Sequence, residues 1–306
     1  MNLIRGGGKV DISFIQGIIP PVVTPVDDED RVSEVPYRQV IEHVLKGGVH
    51  GVFALGSNGE FYGLDVEQQK RAIEIAVDQV KGRVPVYAGI GAISTKQCVT
   101  MAKEVEKIGA QAITILPPMF ISPNEEELYC HFRAIAEATA LPILLYNNPD
   151  RLKVNLSANL VERLADIPNI VGAKDSSGDL TLTSEYILRT KGKEFVVLAG
   201  RDTMILGTLV YGGAGAVAAT ANIAPELVVS IYERFMAGDL RGALEAQYQL
   251  APLRNAFGLG SWPVVTKDAT NLIGIPAGKP IQPITSCSEA NMLKLKNIVQ
   301  NIGILK

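Results

Sequence analysis

Short apolar runs and longer amphipathic stretches alternate along the chain up to residue 225. The runs are Gly17 to Val23, Gly51 to Leu55, Val84 to Ala88, Ala112 to Leu116, Pro142 to Leu145, Ile170 to Ala173, Phe195 to Leu198 and Ala216 to Ala219. Each is too short for a helix and is bounded by polar or turn residues, the pattern of a buried strand. The stretches between them repeat with the helical period. Val35, Val40, Ile41, Val44 and Leu45 fall on one face, as do Ala72, Ile73, Ile75 and Ala76. Cys98, Met101, Ala102 and Val105 mark a third helix, Leu128, Phe132, Ile135 and Ala136 a fourth, and Leu160, Leu164 and Ala165 a fifth. Ser33, Ser157 and the segment Ser122-Pro123-Asn124-Glu125 supply start signals. Gly47-Gly48 and Gly109 sit where a helix ends in a left-handed residue.

Eight strand–helix units within about 200 residues predict a (β/α)8 TIM barrel. A doubly wound open sheet is the weaker alternative, because Gly17-Ile18-Ile19-Pro20-Pro21 has no glycine pattern for a pyrophosphate. Beyond residue 225 the strands stop. Leu227 to Met236, Leu240 to Leu253, Val264 to Leu272 and Glu289 to Ile302 all read as helices. The first completes the barrel and the others form a helical C-terminal extension. Pro276, Pro280 and Pro283 stiffen the link to the last helix. The expected division is therefore 1–225 for the barrel strands and most helices, with 1–12 a loose leader. Residues 226–306 hold the last barrel helix and the extension.

Composition narrows the function. The chain has 306 residues, 47% hydrophobic and 20% charged, with a net charge of -3 and no basic cluster. Nucleic acids and anionic membrane surfaces usually demand such a cluster, so neither is an expected partner. No apolar run reaches the roughly 18 residues of a membrane span, and Met1 to Val10 lack a secretory core. Cys98, Cys130 and Cys287 are odd in number and far apart, which points to a reducing, cytoplasmic setting. With His43, His50 and His131 also scattered, no metal-ligand spacing exists, and neither a metal nor an organic cofactor is expected.

The chemistry centres on Lys174, the residue that ends the sixth apolar run. Desolvation there favours the neutral amine, which can condense with a ketone to a Schiff base. The plainer alternatives are a lysine that reaches solvent or pairs with Asp175. In a barrel, the C-terminal strand ends share one mouth. The second run ends in Gly56-Ser57-Asn58-Gly59-Glu60, whose hydroxyl, amide and backbone N–H groups suit a carboxylate. The fifth ends in Tyr146-Asn147-Asn148-Pro149, where a phenol is placed to shuttle protons. Arg151, just beyond, suits a second carboxylate. Alone, each has an ordinary reading: a turn, a core tyrosine, a surface arginine. Gly212-Gly213-Ala214-Gly215 reads as a turn, and Lys267 as a solvated charge.

Together these motifs make the chain resemble the dihydrodipicolinate synthase/N-acetylneuraminate lyase family of class I, Schiff-base-forming lyases. The resemblance runs from Gly17-Ile18-Ile19-Pro20-Pro21-Val22-Val23-Thr24-Pro25 through Gly56 to Glu60, Tyr146 to Pro149 and Gly172-Ala173-Lys174-Asp175. It continues over Gly215 to Asn222 and into the helical tail. It implies a homotetramer or homodimer, an imine between Lys174 and pyruvate or a related 2-oxo acid, and an aldehyde as second partner. It also implies Tyr146 as proton relay, Ser57 and Asn58 on the carboxylate, and the main chain near Val217 in the pocket. The synthase branch usually has two threonines where Ser57-Asn58 stands, and a tyrosine donated across a subunit contact where Phe120 stands. Arg151 falls at that branch's semialdehyde-binding arginine, though Leu152-Lys153 replaces the usual Thr-Gly. The balance favours a reversible aldolase acting on 4-hydroxy-2-oxoglutarate or 2-keto-3-deoxy sugar acids. The alternative is a 4-hydroxy-tetrahydrodipicolinate (dihydrodipicolinate) synthase joining pyruvate to aspartate semialdehyde, and the next a non-catalytic 2-oxo-acid-binding protein.

Overall fold

A computed structural model describes residues 11–305. The expected leader, 1–12, falls almost wholly outside them. Eight parallel strands form one sheet: β1 (Gly17–Ile18), β2 (Val52–Ala54), β3 (Val86–Ile90), β4 (Ala112–Ile115), β5 (Ile143–Asn147), β6 (Ile170–Asp175), β7 (Val196–Ala199) and β8 (Gly215–Ala216). Their order is β1-β8-β7-β6-β5-β4-β3-β2. The two ends meet where Pro21 bridges Phe53 in parallel. Val22 N–H donates to the Phe53 carbonyl and Phe53 N–H to the Pro20 carbonyl, both at 3.0 Å. The sheet is thus closed into the expected TIM barrel.

The strands depart from the apolar runs in an informative way. β1 and β8 shrink to two residues each. Pro20 and Pro21 have no N–H to extend β1. At Gly215 the backbone has φ +152°, and a Cβ would stand 2.1 Å from the Gly17 carbonyl oxygen. Only glycine permits that approach. β5 and β6 instead run past their apolar cores, to Asn147 and Asp175. Tyr146 pairs with Lys174 and Asn147 with Asp175 in the ladder. Polar side chains end the hydrophobic signal there but not the hydrogen bonding.

Inside the barrel, Ile19, Phe53, Tyr87, Leu144, Val171 and Leu198 form a plug beneath the mouth. Outside it, the helix faces predicted from periodicity pack on the strands, Val40, Ile41, Val44, Ile73, Val105 and Phe132 among them. The caps fall near their predicted places. Asn124 and Glu127 form a capping box, and Ser157 accepts from Leu160 N–H. Ser33 stands at an N-cap but makes no side-chain cap bond. Gly109 is left-handed as expected, but at the first helix Gly48 takes that role, at φ +80°. Gly47 is needed for space: a Cβ there would lie 2.3 Å from Pro225.

After β8 the described chain continues as helices Pro225–Met236, Leu240–Asn255, Val264–Leu272 and Glu289–Asn301. They share a second core that includes Val228, Leu250, Val264 and Leu295, with Ile18 and Ala199 from the barrel. Among the described residues no helix is long and apolar enough to cross a membrane.

One expectation fails outright. Lys267 is not solvated; it is 0% exposed and forms an ion pair with the equally buried Glu60. Its amine also donates to the Lys279 carbonyl at 2.8 Å, while Glu60 Oε1 accepts from Ile281 N–H at 2.8 Å. Burial pushes the Lys267 amine below its usual range, against the pull of Glu60. Two residues 207 positions apart meet only through the fold, so no local pattern marked the pair.

Candidate active site

A cavity of about 150 Å³ opens at the C-terminal strand ends, lined by Ser57, Asn58, Tyr146, Arg151, Lys174 and Val217 among others. Six of the seven residues singled out from the sequence therefore converge here. The seventh, Gly56, sits behind the wall, and its missing Cβ leaves room for Phe53 and Pro21.

Lys174 is 3% exposed. Its ammonium nitrogen lies 3.8 Å from the Tyr146 ring centroid and 5.2 Å from that of Phe53. The pairing with Asp175 does not occur. The Asp175 carboxylate accepts from Asn147 Nδ2 (3.0 Å), Ser177 N–H (3.0 Å), Ser177 Oγ (2.9 Å) and Thr183 Oγ1 (2.6 Å). Among the described residues Lys174 has no carboxylate within salt-bridge range. Its position depends on a slip in register: Ile143 pairs with Ile170, but Leu144 pairs with Gly172. The extra residue, Val171, turns the rest of β6 by one position, which sets Lys174 opposite Tyr146. Gly172 makes the slip feasible, since a Cβ there would meet Leu144 Cδ2 at 2.6 Å and the Val196 carbonyl at 2.7 Å.

The Tyr146 phenol is buried beside that amine. Burial alone would raise its pKa, but the charge of Lys174 and polar contacts with Ser57, Lys174 and Ser176 outweigh it. The net result lies below the ordinary value. Asn148 Nδ2 also donates to the phenol oxygen at 3.0 Å. A phenol so placed gives up and regains a proton more readily than a free tyrosine.

The loop after β2 is held under strain. Leu55 (φ 60°) and Glu60 (φ 54°) are both left-handed without being glycine. Gly89 makes room, because a Cβ on it would stand 2.1 Å from the Leu55 carbonyl oxygen. Asn58 Nδ2 is committed to the Pro21 carbonyl at 2.7 Å, an oxygen that Asn222 Nδ2 also reaches at 3.0 Å. The Asn58 carboxamide therefore anchors the loop. The Ser57 hydroxyl meets the Tyr146 phenol at the cavity wall, and the backbone N–H groups of Ser57 and Asn58 begin a short 3-10 turn with no acceptor inside it.

Sequence reasoning missed several wall residues. Ser176, Arg201 and Asp202 follow β6 and β7 directly, so the rule that strand ends face the mouth would have found them. Arg254 and Trp262 come from the region after β8 and carried no local signal. Phe120 lies outside the cavity of this chain, 95% exposed at φ +75°.

Comparison with known proteins identifies the family and the fold on independent grounds. The model of the dihydrodipicolinate synthetase family matches residues 14–302. The 4-hydroxy-tetrahydrodipicolinate synthase of Methanopyrus kandleri is 38% identical over 95% of this chain and 97% of its own length. The protein of that name from Pseudomonas aeruginosa is 36% identical, over 95% of this chain and all of its own. Among solved structures, a dihydrodipicolinate synthase superposes with a TM-score of 0.90 at 34% identity, covering 95% of this chain and 100% of that one. YagE, a prophage protein of E. coli K12 from the dihydrodipicolinic acid synthase family, was solved in complex with pyruvate. It gives a TM-score of 0.92 at 31% identity, covering 94% and 99%.

Proposed function

The chain belongs to the dihydrodipicolinate synthetase family and is a lyase of class I type, and on that premise we propose that it joins pyruvate, held as an imine on Lys174, to an aldehyde. The observation that carries this reading is the pairing of Lys174 with Tyr146 across β5 and β6, amine over phenol, at the floor of the cavity.

The unprotonated Lys174 amine attacks the C2 ketone of pyruvate. Tyr146 protonates the resulting hydroxyl, which leaves as water, and the iminium remains. Ser57 and the N–H groups at the start of its turn hold the carboxylate, orienting C2 toward the amine. Loss of a C3 proton gives an enamine. Its C3 attacks the aldehyde carbon, forming the new C–C bond, and the aldehyde oxygen takes up a proton. Water, or an amine on the product itself, then displaces Lys174. Run backward, the same steps cleave an aldol.

Aspartate semialdehyde is the favoured partner. Relatives covering 95% of this chain carry the synthase name, and Arg151 lies on the cavity wall within reach of a second carboxylate. The comparisons thus favour the synthase alternative over the aldolase that the motifs put first. Cleavage of 4-hydroxy-2-oxoglutarate or a 2-keto-3-deoxy sugar acid remains a second reading, because Ser57-Asn58 and the exposed Phe120 leave the site without the synthase branch's three hydroxyls. The non-catalytic binder is set aside by membership of a family of lyases.

Borohydride trapping after incubation with pyruvate tests the imine. A mass gain on the peptide holding Lys174, absent in Lys174→Ala, is expected; folded protein that gains no mass refutes the reading. Initial rates with pyruvate plus aspartate semialdehyde, set against cleavage of 4-hydroxy-2-oxoglutarate, then rank the two reactions.

A further inference from the structure

The rung that pairs Tyr146 with Lys174 is followed by one more, Asn147 with Asp175, and there both strands end. Side chains alternate along a strand, so Asn147 and Asp175 point away from the cavity, to the outer face of the barrel wall. Asp175 is 4% exposed there. Its Oδ1 accepts from Asn147 Nδ2 and from Ser177 N–H, both at 3.0 Å. Its Oδ2 accepts from Ser177 Oγ at 2.9 Å and from Thr183 Oγ1, on helix Leu180–Arg189, at 2.6 Å. All of these donors are neutral. Asn147 is tied further: its Nδ2 also donates to Asn155 Oδ1 at 2.9 Å, and its Oδ1 accepts from Leu156 N–H at 3.0 Å. The mechanism above uses none of these side chains.

The bond between Asn147 and Asp175 exists in one register only. Counted on from Ile143 opposite Ile170 without the slip at Val171, Tyr146 would face Ala173 and Asn147 would face Lys174. Asp175 would then lie past the end of β5 and lose the Asn147 amide. A buried carboxylate short of a donor is far costlier than a neutral group in the same place. Gly172 makes the slip sterically possible. A buried charge that finds its donors only in the slipped register makes that register the stable one.

We propose that Asp175 is a positioning residue: through Asn147 it pins the slipped register of β5 and β6 and so holds the Lys174 amine against the Tyr146 phenol. It acts from behind the wall and touches no reactant. The assignment rests on the imine reading above and does not depend on which aldehyde follows pyruvate.

Substitutions behind the wall separate positioning from mere support. Asp175→Ala and Asn147→Ala both break the cross-strand bond, the second while leaving Asp175 its donors from Ser177 and Thr183. Asp175→Asn removes the charge and keeps the bonding pattern. Its amide oxygen replaces Oδ1, and the two hydroxyls turn to accept from its nitrogen, Thr183 Oγ1 having the Asp179 carbonyl at 3.1 Å as its own acceptor. Thr183→Val removes a bond to the same carboxylate on the helix side and is the structural control. Each protein is given pyruvate alone, and the rate of borohydride-trapped adduct formation is followed against pyruvate concentration and pH. Both alanine variants should lower the maximal rate by about 10- to 100-fold. The half-saturating pyruvate concentration should change by less than about threefold, since Ser57 and its turn are untouched. Burial raises the Tyr146 phenol, and the charge of Lys174 with the nearby polar contacts brings it below its ordinary value. As the amine drifts away, the basic limb of the rate should therefore move up toward about pH 10. Asp175→Asn should stay within about threefold of wild type and keep the limb. Thr183→Val should lose stability to urea and move neither rate nor limb. If Asp175→Ala does not fold, Asn147→Ala carries the same expectation. Alanine variants that match Thr183→Val in rate and limb would overturn the assignment, as would a folded Asp175→Asn slowed by more than about tenfold. No adduct in wild type sinks the imine reading; an adduct that forms as fast in the alanine variants as in Thr183→Val sinks only the positioning role.

Discussion

Replacing Lys267 by Met should destabilise the fold far more than an ordinary lysine substitution. Lys267 and Glu60 are both fully buried, and among the described residues neither has another ion-pair partner. Without the ammonium, Glu60 must stay charged in a dry site or take up a proton. Breaking one side of such a pair costs about 3–5 kcal/mol. The lost bond from the amine to the Lys279 carbonyl adds about 1 kcal/mol more. Removing both charges, in Glu60→Gln with Lys267→Met, should recover most of the loss. Gln still accepts from Ile281 N–H, and Met fills the space of the lysine stem. Urea unfolding followed by circular dichroism and by Trp262 fluorescence measures both quantities. Since the pair ties the Ser57-Asn58 loop to helix Val264–Leu272, the single variant should also bind pyruvate more weakly. A loss below about 1 kcal/mol in Lys267→Met, or a double variant less stable than the single, would refute the reasoning.

Three further outcomes follow from the site and its supports. Tyr146→Phe should cut kcat by about 10²- to 10⁴-fold while leaving Lys174 able to form the pyruvate adduct slowly. Because the Tyr146 phenol lies below its ordinary value, wild-type activity should fall on the basic side before pH 10, and that limb should vanish in Tyr146→Phe. Gly172→Ala puts a Cβ 2.7 Å from the Val196 carbonyl, which has little room to move. It should cost about 1–3 kcal/mol and lower activity by at least about tenfold as Lys174 shifts, so full activity with unchanged stability would count against the register argument. Burial pushes the His131 imidazole down from 6.5 to about 4. The unfolded chain takes up that proton first as pH falls, so stability is full above 6.5 and declines between 6.5 and about 4, by about 2–3 kcal/mol after allowance for partial screening. His131→Phe should lack this part of the acid sensitivity; an identical pH–stability slope in both proteins would contradict it.

Much of the barrel was legible before any coordinates. The alternation of runs such as Val84 to Ala88 with faces such as Val40, Ile41 and Val44 is a local signal, and eight repeats of it admit few architectures. The strand-end rule placed Lys174, Tyr146, Ser57 and Arg151 at one mouth for the same reason: a parallel barrel makes every strand end a neighbour of every other. Local signals thin out where distant contacts act: Gly47 reads as a helix-end backbone glycine, but Pro225, far along the chain, imposes a steric demand there.

The sequence by itself determined the strand–helix order, the buried lysine at a strand end and the phenol and hydroxyl that accompany it, because these depend on periodicity and on which residue follows an apolar run. The tertiary structure alone decided the rest. The Val171 slip, and with it which side chain opposes Tyr146, depends on the pairing of two strands. Asn58 anchors its loop because the Pro21 carbonyl is close in space. Lys267 and Glu60 pair, and Arg254 reaches the mouth beside Trp262, only because the helices after β8 fold back over the barrel. Contacts made across 200 residues leave no periodic trace in the chain; they come into being when the core brings its surfaces together.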